Sequence, residues 1–200
     1  LGKLQGSKYL QSSSHESYAE VLSLIGAGTS VLYCGTPCQI AGLLSCMPGG
    51  LKGRLYTVDF VCHGVPSQKA FDKLLKEMSS RHGKIDDFSF RVKDRQAIMP
   101  YAVCNGKRHY LRRETFSYMA SFYRGFLYRE SCFNCQFASL NRPADITLAD
   151  FWGYRDFGRK NSRKGVSMLL VNNLQGEDLF CKVKESLCYD PIPLDLAVKL

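Results

Sequence analysis

Two hundred residues, 45% of them apolar and 22% charged, suffice for one compact domain with a substantial core and exclude a disordered chain. The formal charge of +9, from 27 basic against 18 acidic residues, suits an anionic partner such as a phosphate-bearing cofactor or an acidic docking face. No stretch approaches the roughly 18 consecutive apolar residues of a membrane-spanning helix, and the first residues lack signal-peptide order, so a cytoplasmic chain with no membrane span is expected.

From Ser13 the pattern Ser13-x-x-Glu16 predicts a capping box, and Tyr18, Val21, Leu22 and Ile25 follow at helical spacing. Ser30 to Tyr33 and the β-branched, aromatic run from Leu55 to Cys62 read as buried strands. Each leads into a cysteine-bearing turn, CGTPCQ after the first and CHGVP at the end of the second. Ser67 then caps a helix whose apolar face is Phe71, Leu74, Leu75 and Met78. Between Asp86 and Leu111 polar and apolar residues alternate, as in antiparallel strands. A helix carrying Phe116, Met119, Ala120 and Tyr123 on one face comes next, then SCFNCQF. The strands DITLADFWG and Val166 to Val171 precede a last helix through Leu179, Val183 and Leu187.

This order predicts an α/β domain, residues 1–200, with a mixed, partly parallel β-sheet covered by helices and cysteine-bearing loops at one edge. In such sheets ligands sit beyond the carboxyl ends of the strands, where Cys38 and Cys62 fall. The chain opens on Leu1 rather than Met, so a fragment of a longer chain is expected. The basic pairs Lys107-Arg108 and Arg112-Arg113 stand in no DNA- or RNA-binding signature, and no nucleic-acid partner is expected. No G-x-G-x-x-G follows a strand, so a Rossmann dinucleotide site has no support.

Nine cysteines without a secretory signal point away from a disulfide framework and toward metal ligands or catalytic thiols. Cys38, Cys62 and the C-x-x-C pair Cys132 and Cys135 lie in turn-like settings where the backbone can approach a cluster. Cys34, Cys46, Cys104, Cys181 and Cys188 lie in or beside apolar periodic segments and read as core or bystander residues. Spacing alone leaves three readings open: a four-thiolate iron–sulfur cluster, a zinc-stabilised interaction domain, and a thiol oxidoreductase using Cys132 and Cys135.

Five segments in this order resemble the coenzyme F420 hydrogenase/dehydrogenase beta subunits: KYLQS (Lys8 to Ser12), GTPCQIAGL (Gly35 to Leu43), TVDFVCHGVPS (Thr57 to Ser67), ESCFNCQF (Glu130 to Phe137) and RPADITLADFWG (Arg142 to Gly153). The resemblance covers most of the chain and implies an oxidoreductase passing electrons between a [4Fe-4S] cluster and FAD. Its cysteine motifs coincide with Cys38, Cys62, Cys132 and Cys135. It implies a small-molecule electron carrier or substrate, a deazaflavin-type coenzyme or another acceptor, and a ferredoxin-like domain or electron-donating subunit as partner. Relatives include formate dehydrogenase beta subunits and a chlorophyll-cycle hydroxymethyl reductase.

His63 adjoins a proposed ligand and is the candidate catalytic residue, donating a hydrogen bond to a flavin ring or relaying a proton, the alternative being a histidine that only orders the loop. Thr36 and Gln39, which flank Cys38, are candidate flavin contacts, and Arg142 is a candidate contact for the pyrophosphate, the alternative being a solvated surface arginine. Asp150 and Trp152, in the DFWG segment, are candidates to line a cofactor pocket, the alternative being a core tryptophan beside a turn. The chain departs from the family in two ways: it has no C-x-x-C-x-x-C run, and Ala149 stands where glycine is frequent.

Overall fold

The computed structural model describes residues 9–94, 97–111, 115–151 and 165–197. In chain order these form α1 (His15–Gly26), β1 (Val31–Cys34), α2 (Pro37–Cys46), a 3-10 turn (Gly49–Arg54) and β2 (Leu55–Phe60). There follow α3 (Gln68–His82), β3 (Ile85–Asp94), β4 (Ala97–Cys104), β5 (Lys107–Tyr110), α4 (Phe116–Tyr123) and the single turn α5 (Glu130–Phe133). Then come β6 (Ile146–Asp150), β7 (Ser167–Val171), α6 (Leu174–Val183), a 3-10 turn (Lys184–Ser186) and α7 (Leu194–Ala197). The residues divide into two compact units: a sheet unit of Ser13–Cys62 and Gln136–Leu200, and an inserted unit of His63–Cys135 with Leu1–Ser12.

The sheet unit carries the expected mixed sheet, in the order β1-β2-β6-β7. Strands β1, β2 and β6 run parallel, and β7 returns antiparallel to β6. Their common direction brings the ends of β1, β2 and β6 to one edge, from which the chain continues toward Cys38 and Cys62. The apolar stripe of α1 is the one its spacing predicts: Val21 and Ile25 pack with Leu43, Met47 and Leu55. The helix starts differently, however. Ser14 is the N-cap and makes no side-chain capping bond, while Ser17 Oγ closes the turn by donating to Ser14 O at 2.8 Å, so the expected Ser13–Glu16 box does not form.

Helix α2, not anticipated as a helix, starts with a legible signal: Thr36 at the N-cap, Pro37 in the first turn and Gln39 three residues on. Helix α6 is capped by Asn173, whose Oδ1 accepts from Gly176 N at 2.8 Å. A methyl group at Gly176 would collide with the carbonyl of Asp145, so this residue sets how closely α6 approaches the start of β6. The helix stops at Val183, a turn short of the predicted extent through Leu187.

In the inserted unit, α3 lies against the antiparallel sheet β3-β4-β5. Phe71, Leu74 and Met78 pack with Phe90, Ala102, Cys104, Leu111 and Tyr118. Aromatic edges dominate, with ring centroids 4.8 Å apart for Phe88 and Phe90 and 5.2 Å for Phe71 and Phe88. Strands β4 and β5 are joined by Asn105-Gly106, both at positive φ, the two-residue connection that matches strand twist. Among the described residues of the chain, no helix is long and apolar enough to cross a membrane.

Candidate cysteine site

The turn before Cys38 is held by buried polar groups. Gly35 N donates to Val58 O at 3.1 Å, prolonging the pairing of β1 with β2. Thr36 and Gln39 are both buried, and Gln39 Oε1 accepts from the Thr36 N–H and the Thr36 hydroxyl, each at 3.0 Å. Tyr18 reaches over from α1 to donate to Gln39 O at 2.6 Å, and burial pushes its phenol up, keeping the donor proton in place. With its proton committed to Gln39, Thr36 Oγ1 accepts from the Cys38 thiol at 3.1 Å. Cys38 is thus exposed on the first turn of α2, while its two neighbours expected at the flavin direct their side-chain oxygens into the turn itself.

Cys62 is exposed beyond the end of β2. Two residues before it, Phe60 O accepts from Arg142 Nη2 at 3.2 Å. Arg142 is almost entirely enclosed. Its Nη2 lies 3.0 Å from Asp59 Oδ2, its Nη1 donates to Phe137 O at 2.8 Å, and its Nε donates to Thr147 Oγ1 at 3.3 Å. Asp59 is fully buried, and its Oδ1 takes the Thr147 hydroxyl at 2.5 Å. A second buried carboxylate lies alongside: Asp145 Oδ2 accepts from Thr57 N and Oγ1 at 2.6 and 2.8 Å, and its Oδ1 from Asn173 Nδ2 at 2.9 Å. Sequence reading missed Asp59, although a lone acid inside the apolar run LYTVDFVC is the kind of residue that needs a buried partner.

In the inserted unit the HGVP stretch that follows Cys62 is clamped to the segment that leads into the C-x-x-C. Arg129 N donates to Val65 O at 3.0 Å, Ser67 N donates to Leu127 O at 2.9 Å, and Pro66 forms an antiparallel bridge with Tyr128. Gly64 has φ +113°, and a Cβ there would meet the Tyr128 ring at 3.1 Å, so the turn needs glycine on both counts. His63 is exposed, with ring contacts to Phe122, Tyr123 and Tyr128 at 5.5, 6.1 and 5.7 Å. Cys132 lies on α5, half-buried, its N–H donating to Arg129 O at 2.9 Å, and Cys135 is exposed just past that turn.

No disulfide joins any of the nine cysteines. Of the five read as core or bystander, only Cys104 is buried; Cys34, Cys46, Cys181 and Cys188 are exposed. Cys34 closes the edge strand β1 on its outward-facing register, and partial desolvation still pushes its thiol up, away from the thiolate a ligand requires. Asp150 is exposed at the end of β6, and Trp152 lies outside the described residues. Within neither unit do three His, Cys, Asp or Glu side chains gather closely enough to hold a metal ion, among the described residues. Cys38 and Cys62 belong to the sheet unit, and Cys132 and Cys135 to the inserted unit. The donor set is four thiols without a disulfide, three exposed and Cys132 half-buried, and thiolates are the ligands an iron–sulfur cluster takes.

No curated protein matches the chain. Among solved structures it resembles a chain of the xenon-derivatised F420-reducing [NiFe] hydrogenase complex from Methanosarcina barkeri, with a TM-score of 0.52 at 15% sequence identity. That similarity covers 92% of this chain and 58% of the other, and it establishes a shared fold. The family defined by the carboxy-terminal part of the coenzyme F420 hydrogenase/dehydrogenase beta subunits matches residues 28–195. The chain therefore belongs to the coenzyme F420 hydrogenase/dehydrogenase beta subunits, a family of redox enzyme subunits.

Proposed function

We propose that this chain is the catalytic portion of an oxidoreductase in which Cys38, Cys62, Cys132 and Cys135 hold a [4Fe-4S] cluster beside an FAD site. Bound together, the two cofactors supply interconversion of single electrons and a hydride. The observation that carries the reading is the double tie between the two cysteine-bearing stretches. In the sheet unit Arg142 joins Phe60, two residues before Cys62, to Phe137, two residues after Cys135. In the inserted unit Val65 and Pro66, just after Cys62, are bonded to Arg129 and Tyr128, just before Cys132.

Other residues take supporting parts. Thr36 and Gln39 shape the turn that presents Cys38, and so serve a flavin indirectly through the backbone they fix. His63, whose exposed ring packs against Phe122, Tyr123 and Tyr128, is assigned in this reading to hydrogen-bond a flavin ring or relay a proton. Asp150 and Trp152 belong to the same reading as lining residues, and Arg142 is assigned to holding the loops rather than a pyrophosphate, because its donors are already engaged. A ferredoxin-like domain or electron-donating subunit is the partner in this reading, and a diffusible carrier, deazaflavin-type or another small molecule, would be reduced or oxidised. The reading places the protein in the cytoplasm, where clustered cysteines without a secretory signal are kept as ligands.

Iron, sulfide and flavin analysis of the complete protein, purified anaerobically, is the test. Serine at any of Cys38, Cys62, Cys132 or Cys135 should deplete iron sharply, whereas Cys181→Ser and Cys188→Ser should leave it at wild-type level. A colourless protein that carries zinc, or full iron loading in Cys62→Ser, would remove the assignment.

A further inference from the structure

A buried aspartate near the end of a core strand needs a reason, since an apolar residue would satisfy the same position. Asp59 has no solvent exposure, and its carboxylate is shared between Thr147 Oγ1 at 2.5 Å and Arg142 Nη2 at 3.0 Å. The guanidinium, paired with Asp59 by charge rather than by a hydrogen bond and donating through Nε to Thr147 Oγ1, gives Nη2 to Phe60 O at 3.2 Å and Nη1 to Phe137 O at 2.8 Å. These carbonyls belong to the stretches that lead into Cys62 and away from Cys135. The planar fork can hold several acceptors at set angles, whereas a lysine ammonium is a point charge on a flexible stem.

We propose that Arg142, locked by Asp59, is a positioning residue for cluster ligation: it sets where β2 releases the chain toward Cys62 and where the chain leaves the C-x-x-C. This inference rests on the reading of the four cysteines as ligands. Asp59 and Arg142 stay outside the ligand set and act through the backbone, so their effect is on geometry and retention. Outer partners of metal ligands commonly act in this way.

The experiment compares wild type, Arg142→Lys and Thr147→Val in the complete protein. Each is measured for iron and sulfide per chain, cluster midpoint potential, far-ultraviolet circular dichroism and thermal midpoint. On iron-free protein, the rate at which a maleimide labels Cys62 is compared with that of Cys181, resolved by peptide mass spectrometry. Arg142→Lys should keep the wild-type dichroism, retain iron about 10- to 100-fold less tightly, shift the potential, and label several-fold faster at Cys62 with Cys181 unchanged. If Arg142→Lys does not fold, Thr147→Val, which removes the Nε acceptor and one support of Asp59, should show the same pattern in weaker form. Wild-type iron retention, potential and Cys62 labelling in a folded Arg142→Lys, or failing that in Thr147→Val, would overturn the role of Arg142 while leaving the ligands standing. A wild type that binds no iron overturns the ligand reading and this role together.

Discussion

Strands β2 and β6 bury Thr57, Asp59, Asp145 and Thr147, whereas the inserted unit buries Phe90, Ala102 and Cys104 on its sheet beneath Phe71 and Leu74 of α3. The first set is directional: Asp145 and the two threonines are hydrogen-bonded at set distances, Asp59 Oδ1 takes the Thr147 hydroxyl and its Oδ2 meets Arg142 as an ion pair without a hydrogen bond, and a slip of one residue would leave carboxylates buried without donors. The second is bulk apolar contact with edge-on rings, which tolerates small rearrangements. The contrast teaches where precision is needed. The sheet unit carries Cys38 and Cys62 on short turns at the ends of its strands, and its polar network reaches the backbone beside them. The inserted unit shows comparable precision at its clamp, where Gly64 meets Tyr128 and Arg129 meets Val65.

The comparison breaks most readily at the ion pair. Arg142→Met leaves a fully buried carboxylate without its cation, and removal of one partner of a buried pair costs about 3–5 kcal/mol. Urea unfolding of wild type and variant should show this loss. A change within the roughly 0.5 kcal/mol expected of a surface substitution would mean the network is not what holds the sheet. At the clamp, Gly64→Ala places a side chain at φ +113° and 3.1 Å from the Tyr128 ring, and strain of this kind costs about 1–3 kcal/mol. The same measurement should place it between the ion pair and the core swaps. In the apolar core, Leu74→Met exchanges one apolar side chain for another of similar volume and should cost about 1.5 kcal/mol or less. If Leu74→Met proves as damaging as Arg142→Met, the distinction between directional and bulk packing fails.

Legibility in the sequence follows the same division. The stripe Val21, Ile25 of α1 and the stripe Phe71, Leu74, Met78 of α3 are local periodicities, and both faces bury as their spacing predicts. The Gly and Pro beside Cys38 and Cys62 mark turns, and both cysteines lie at the strand ends where a parallel sheet presents ligands. What periodicity cannot carry is a pairing across distant sequence. Asp59 and Arg142 are joined only once β2 and β6 lie side by side, and Asp145 finds Thr57 by the same adjacency. Burial of cysteines was misleading for a related reason. Cys34 and Cys181 occur in apolar segments, but Cys34 falls on the outward register of an edge strand and Cys181 on the open side of α6. Helix α2 is the remaining miss: Thr36-Pro37-x-Gln39 is a helix start, masked by the attention a cysteine turn attracts.

The smallest expected effect separates the buried network from an exposed imitation of it. On α6, Lys182 Nζ donates to Asp178 Oδ2 at 2.6 Å and to the Tyr56 hydroxyl at 3.0 Å, while that hydroxyl donates to Asp178 Oδ2 at 3.0 Å. The geometry is as close as at Asp59, but these groups stand in water. Hydrogen bonds from Lys182 and Tyr56 hold the Asp178 carboxyl below its ordinary value, and the hydrogen bond to Asp178, seconded by Tyr56, raises the Lys182 ammonium. A carboxyl lowered on folding contributes stability above its unfolded pKa, near 3.9, and loses it as pH falls through the lower folded value. An ammonium raised on folding contributes below its unfolded pKa, near 10.4, and loses it as pH rises through the folded one. The contribution is therefore flat between these limits. The difference in unfolding midpoint between wild type and Asp178→Asn should be small and constant from weakly acidic to weakly alkaline pH. It should shrink in acid below the carboxylate range and diminish further in high salt, because exposed pairs are screened. A difference that persists at high salt and rivals that of Arg142→Met would show that burial is not what separates the two networks.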